Sequence, residues 1–264
     1  MKIRKSGFGL SDFLKRVIQE YRYFTSKSWS LKEVGEYWDT VTDYDDINES
    51  TYSYYRRYTN TWELAKEFIN SDMCMLDIQT RTGKGTEFWF RKGVIKKSYL
   101  VDFSDYLLSV AKERLVGSNY DYELIKTTDY NLSFNNAFFD FVTTYETLEH
   151  IGDISLYMKE LSRVLKPGGI MILTCPNILW EPCHWVAAVL GVHHSEGPHN
   201  FLRRKTLLQL FKDNCLAVLK ENTTVILPFN KERIIEINEK LEEILPERIV
   251  RLIGLRRSYV LRKS

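Results

Sequence analysis

From residue 73 onward the chain alternates short apolar runs with amphipathic stretches, and this alternation constrains the fold more than any other feature. Met73 to Ile78 is an apolar run closed by polar and Gly residues. Ser98–Phe103, Tyr122–Ile125, Phe138–Tyr145 and Ile170–Cys175 repeat the pattern with aromatic and β-branched residues. Residues 105–115 carry Leu107, Leu108, Ala111 and Leu115 at helical spacing, and residues 154–165 form an amphipathic helix stopped by Lys166-Pro167-Gly168-Gly169. Further on, 205–213 reads as a helix, 216–227 holds a strand, 231–245 is a charged helix and Ser258–Leu261 a last short strand. Strands alternating with helices predict an α/β fold: a doubly wound, mostly parallel, seven-stranded sheet with helices on both faces. Ligands of such sheets bind beyond the carboxyl ends of the strands, near the switch in strand order.

Residues 9–70 read differently, as helices and loops. Leu10, Phe13, Leu14, Val17 and Ile18 recur at helical spacing, and an aromatic-rich stretch from Tyr37 to Trp62 follows. The expected division is a helical cap over 1–60 and a sheet domain over 61–264 with a C-terminal helix–strand extension. The formal charge is +2, so no global field recruits nucleic acid, and the basic run Arg256, Arg257, Arg262 and Lys263 reads as a solvated edge. Cys74, Cys175, Cys183 and Cys215 form no C-x-x-C pair, which fits a reducing cytoplasm. The basic N-terminus lacks the apolar core of a signal peptide, and Trp185–Val192 is too short to span a bilayer and reads as a buried helix.

The chemistry-bearing residues follow the strands. After the first comes Asp77-Ile78-Gln79-Thr80-Arg81-Thr82-Gly83, a Gly-containing turn that brings backbone close to a ligand. It is not a phosphate-binding P-loop, because Gly83-Lys84 is followed by Gly85. Asp102 ends the second strand, where a carboxylate can accept from ribose hydroxyls. Asp129-Tyr130 follows the third, where a carboxylate can accept from an adenine amino group and an Asp equally serves a turn.

Leu76-Asp77-Ile78, Val101-Asp102-Phe103-Ser104, Asp129, Phe139-Asp140-Phe141-Val142, Leu148-Glu149-His150-Ile151 and Arg163-Val164-Leu165-Lys166-Pro167-Gly168-Gly169 occur in that order. Over roughly residues 60–220 this series resembles the class I S-adenosylmethionine-dependent methyltransferases, in particular the group that includes the ubiquinone-biosynthesis O-methyltransferases. The resemblance implies a Rossmann-like methyltransferase fold, S-adenosylmethionine as cofactor and a small-molecule methyl acceptor, with oxygen the expected methylated atom. It implies that Asp77 and the backbone around Gly83 hold the methionine part, that Asp102 binds the ribose with Phe103 beside the adenine, and that Asp129 and the Tyr130 backbone read the adenine edge. Tyr145 and Glu146 would face the methyl group and the acceptor.

One departure stands out. The family pattern has three glycines in the first loop, at positions matching Gln79, Arg81 and Gly83, and only Gly83 is present. Arg81 has the right charge for the cofactor carboxylate, so retained binding is expected, with a catalytically degenerate binding or scaffold protein as the alternative. A nicotinamide oxidoreductase is disfavoured because no G-x-G-x-x-G follows the first strand. For the acceptor's proton the candidates are His150 and Glu146. In ubiquinone O-methyltransferases and small-RNA 2′-O-methyltransferases a pattern similar to Glu146-x-x-Glu149-His150 helps hold a divalent metal. Here Glu146, Glu149, His150 and His199 would be its ligands, though in other relatives these residues anchor a helix start, and a metal is the lesser expectation. His193, His194 and His199 suggest an active-site lid.

Overall fold

A computed structural model describes residues 9–26, 29–49, 51–191 and 195–264. His193 and His194 of the expected lid therefore lie outside the described residues. Seven strands form one sheet: β1 (Met73–Ile78), β2 (Ile95–Asp102), β3 (Asp121–Lys126), β4 (Phe139–Tyr145), β5 (Leu165–Pro176), β6 (Leu216–Thr224) and β7 (Arg256–Lys263). Their order is β3-β2-β1-β4-β5-β7-β6. β1 to β5 pair in parallel, and β7 runs antiparallel to both β5 and β6. β1 and β4 are buried almost throughout, which is why they read as unbroken apolar runs: helices cover a parallel strand on both faces. The strand order reverses between β1 and β4, and the candidate residues cluster at that switch.

The helices are α1 (Leu10–Thr25), α2 (Leu31–Asp39), α3 (Tyr52–Ala65), α4 (Lys84–Arg91), α5 (Asp105–Leu115), α6 (Ile154–Val164), α7 (Glu181–Val189), α8 (Arg204–Asp213), α9 (Glu232–Ile244) and α10 (Glu247–Ile253). Short polar signals set their ends. Ser30 and Glu33 make a reciprocal capping box at α2, and Ser104 and Asp153 cap α5 and α6. α10 was not anticipated. Residue 60, the expected domain boundary, falls inside α3, a helix that packs on β6 and β7. Lys166-Pro167-Gly168-Gly169 does stop α6, but it lies within β5, looped out between the pairs Phe139–Leu165 and Phe141–Ile170.

Two expectations are corrected. The C-terminal basic run is not a solvated edge: β7 lies between β5 and β6, and Arg256 and Arg257 are buried. Only Arg262 is exposed, while Lys263 donates to the carbonyls of Ser162 and Leu165. Nor is Trp185–Val192 a buried helix. Its described part, in α7 and just beyond, turns Val186 and Leu190 to the surface, and only Ala188 and Val189 are buried.

The cap meets the sheet domain at full van der Waals closeness. A Cβ on Gly35 of α2 would stand 2.1 Å from the Phe103 carbonyl oxygen, so glycine alone lets α2 lie on the end of β2. Asp39 extends the contact by accepting from the Ser104 hydroxyl and the Tyr106 N–H at the start of α5.

Candidate active site

The turn after β1 follows a glycine path without being glycine. Gln79 and Arg81 have φ of 52° and 56°, in the left-handed region, beside Gly83 at 74°. Each non-glycine residue there costs about 1–2 kcal/mol. Asp77 holds the turn. Its carboxylate accepts from the hydroxyls of Thr80 (2.7 Å), Thr86 (2.6 Å) and Thr143 (2.8 Å). Burial pushes this carboxyl up from its usual range against the pull of those three hydroxyls. Gly83 caps α4, and a Cβ there would press on Ala111 at 3.1 Å.

The added side chains are buried. The Arg81 backbone N–H donates to Asp102 at 2.8 Å, and its guanidinium donates to the Glu146 carbonyl at 3.2 Å. The guanidinium also lies 4.2 Å from the ring centroid of Trp38 on α2. Arg81 Nη1 and both polar atoms of the Gln79 amide are buried with no hydrogen-bond partner among the described residues. Unpaired buried donors of this kind cost about 1–3 kcal/mol each.

Asp102 is fully buried and accepts from the N–H groups of Arg81, Phe103 and Ser104. A carboxylate has about four acceptor positions, so capacity for one more donor remains. Burial raises its pKa most, offset by the Arg81 charge. Phe103 is buried beneath α2. Asp129 is exposed and accepts from the Asn131 N–H in a local turn, the role a turn Asp performs by default. The Tyr130 hydroxyl accepts from the Asp153 N–H, tying this loop to the start of α6.

Beyond β4, Tyr145 is buried under α3 and α4. Its hydroxyl accepts from Trp89 Nε1 at 2.8 Å and lies 3.3 Å from the Thr61 hydroxyl. Glu146, at φ 50°, pairs with buried Arg256 at 2.8 Å. Arg256 in turn reaches the Ser53 hydroxyl and lies over the Tyr54 ring. Sequence reading missed this partner because the basic run looked like surface. Glu149 is buried, one of its oxygens has no partner among the described residues, and burial together with the Glu146 charge pushes its pKa well above the ordinary value.

His150 is buried with Nδ1 3.0 Å from the Pro198 carbonyl, and burial, aided by the nearby Arg81 charge, lowers its pKa to about 3. The ring is neutral at ordinary pH. With Nδ1 donating to that carbonyl, Nε2 keeps the lone pair. His199 Nδ1 instead meets the Gly197 carbonyl. The loop Ser195–Phe201 is further pinned by Asn200 N–H to the Glu149 carbonyl, and its Glu196 pairs with His184 on α7. That pair was not anticipated either. Among the described residues no group of three or more His, Cys, Asp or Glu side chains could hold a metal ion, so Glu146, Glu149, His150 and His199 do not converge as a ligand set.

Comparison with known proteins agrees with this fold. Residues 76–173 match the methyltransferase domain family. The central part of the sheet, residues 76–173, is thus a methyltransferase-family domain. It is 27% identical over 138 residues to a ubiquinone biosynthesis O-methyltransferase of Bartonella tribocorum, a match covering 49% of this chain and 55% of that protein. A ubiquinone/menaquinone biosynthesis C-methyltransferase of Ralstonia pickettii is 26% identical over 153 residues, covering 57% and 63%. The chain thus spans about half the length of the curated relatives it matches. Among solved structures, the cyclase SpnF superposes with a TM-score of 0.63 at 14% identity, over 90% of this chain and 97% of that one. A methyltransferase solved with the Haloferax volcanii Trm112 activator gives 0.60 at 17% identity, over 86% and 97%. A cyclase and a methyltransferase sharing one fold illustrate that this likeness fixes the architecture alone.

Proposed function

We propose that the chain transfers a methyl group from S-adenosylmethionine to a small-molecule acceptor, at oxygen. The observation that carries this reading is the trio of unpartnered polar atoms on Gln79 and Arg81, set on a glycine-type turn next to Asp102. A carboxylate is the chemistry that satisfies a guanidinium N–H and an amide N–H together. The donor set therefore fits the cofactor: Gln79 and Arg81 for its amino-acid end, Asp102 for the ribose and Phe103 beside the adenine. The cofactor supplies an already electrophilic methyl group, so much of the catalysis reduces to positioning.

Two relatives named for ubiquinone biosynthesis, one an O- and one a C-methyltransferase, support an acceptor of the quinone-precursor kind. For the acceptor's proton, Glu149 is better matched than the residues expected from sequence. His150 is held neutral and weakly basic, and Glu146 is engaged by Arg256. A buried carboxyl raised well above its ordinary range, with one oxygen that has no partner among the described residues, suits a general base.

A second reading has one observation in its favour. Arg81 stacked on Trp38 fills space that glycines would leave open, as in a binding or scaffold protein that keeps the fold without turnover. Calorimetric titration with S-adenosylhomocysteine separates the two. Micromolar binding that is lost in Asp102→Asn, together with methyl transfer to an acceptor, supports the enzyme. No binding at millimolar ligand supports the scaffold.

A further inference from the structure

α1 is sided in an unusual way. Its buried face includes Arg16, which donates to the Val189 carbonyl of α7, and Glu20, which is 3% exposed. Leu10, Leu14, Ile18, Tyr21 and Phe24 instead recur at intervals of three and four and are all exposed, Leu10 at 76% and Tyr21 at 63%. That spacing puts them in one stripe along a helix of 16 residues, about 24 Å long. α7 packs beside α1 and adds exposed Val186 and Leu190. Scattered surface apolar residues are normal, whereas five in one stripe along a single helix mark an interaction surface.

The charge around the stripe selects what it meets. Residues 1–25 carry six Lys or Arg (Lys2, Arg4, Lys5, Lys15, Arg16, Arg22) against Asp12 and Glu20, a net charge of +4 in a chain of +2 overall. The remainder of the protein is therefore net negative. Exposed Lys15 and Arg22 lie on the helix beside the stripe. An apolar stripe flanked by cations, on a helix too polar to cross a bilayer, is the pattern of a helix lying in the plane of an anionic lipid surface.

We propose that α1, with the adjoining edge of α7, docks this protein on anionic lipid bilayers. The stripe residues enter the headgroup–acyl boundary, and Lys15 and Arg22 face the lipid phosphates. Glu20, on the inward face of α1, is within electrostatic reach of His199, so α1 lies close to the loop over His150. The inference does not depend on methyl transfer, because it is read from lipid binding.

The test is flotation of the full-length protein with vesicles of pure phosphatidylcholine and with vesicles containing one-third phosphatidylglycerol. The expected result is binding to the anionic vesicles, weakened at least tenfold by raised salt and by the double substitution Leu14→Glu/Ile18→Glu, with an unchanged thermal melt because both side chains are exposed. Three results would overturn the proposal. They are no binding to anionic vesicles, equal binding by the double variant, and a wild-type dimer in light scattering that the double substitution converts to monomer, since the stripe would then meet a second copy of this chain.

Discussion

The Arg81 guanidinium lies 4.2 Å from the Trp38 ring centroid while its backbone N–H donates to Asp102, so one residue joins the cap, the β1 turn and the end of β2. Arg81→Met keeps an unbranched, flexible side chain and removes the charge and its donors. One charge-assisted hydrogen bond is worth about 1.5–3 kcal/mol, so affinity for S-adenosylhomocysteine should fall about 10- to 100-fold. Calorimetry on folded variant protein measures this. Unchanged affinity would mean that Arg81 does not touch the ligand.

Gly35 controls how closely the cap approaches. In Gly35→Ala the new methyl meets the Phe103 backbone, which cannot turn aside as a side chain can. Overpacking of this sort costs about 1–3 kcal/mol. The expected outcome is a lower melting temperature together with faster proteolysis within α1 and α2. An unchanged melt would show that α2 does not sit on β2 in solution.

His150 should make the fold acid-sensitive. Its folded pKa of about 3 lies below the ordinary 6.5, so below pH 6.5 the unfolded chain takes up a proton that the folded chain refuses. Stability from this group is complete above pH 6.5 and is lost progressively as pH falls toward 3. His150→Asn retains a donor for the Pro198 carbonyl and cannot titrate. Denaturant melts at pH 7 and pH 4.5 should show a smaller acid loss in the variant, and an identical loss would contradict the assignment.

Glu149 has the opposite sign. Its folded pKa is raised above the ordinary 4.5, so the fold keeps a proton that the unfolded chain has released. Its contribution is complete below about pH 4.5 and declines as pH rises toward the folded value. Glu149→Gln should therefore gain stability relative to wild type at pH 8 compared with pH 5, while losing turnover if Glu149 takes the acceptor's proton. A stability gap that is flat with pH would remove the basis for both expectations.

The sheet and the two strand-end aspartates were legible because periodicity is local. A parallel strand buried on both faces must be apolar along its length, and the first polar residues after it mark the switch point. Asp77 and Asp102 are found there. Asp129 was equally visible after β3, and one of its carboxylate oxygens accepts from the Asn131 N–H of its own turn. Tyr145 was placed correctly on β4, yet strand alternation did not reveal that Trp89 and Thr61 would bind its hydroxyl.

Arg256 and Arg257 show the limit most clearly. Arginines in a terminal run look like surface, and their burial depends on partners far away in sequence: Glu146 for one, and for the other Asn177, 80 residues earlier. Nothing near residue 256 announces that β7 inserts between β5 and β6. Gln79 and Arg81 likewise appeared as a broken glycine pattern, while the backbone kept the glycine path and the cap supplied Trp38. The sequence by itself determined the order of elements, the parallel core and the place of the switch, since each follows from apolar spacing and turn residues within a few positions. Only the tertiary structure decided which charges are buried and paired and what fills the β1 turn, because those energies arise from contacts between segments that meet only once the sheet has closed.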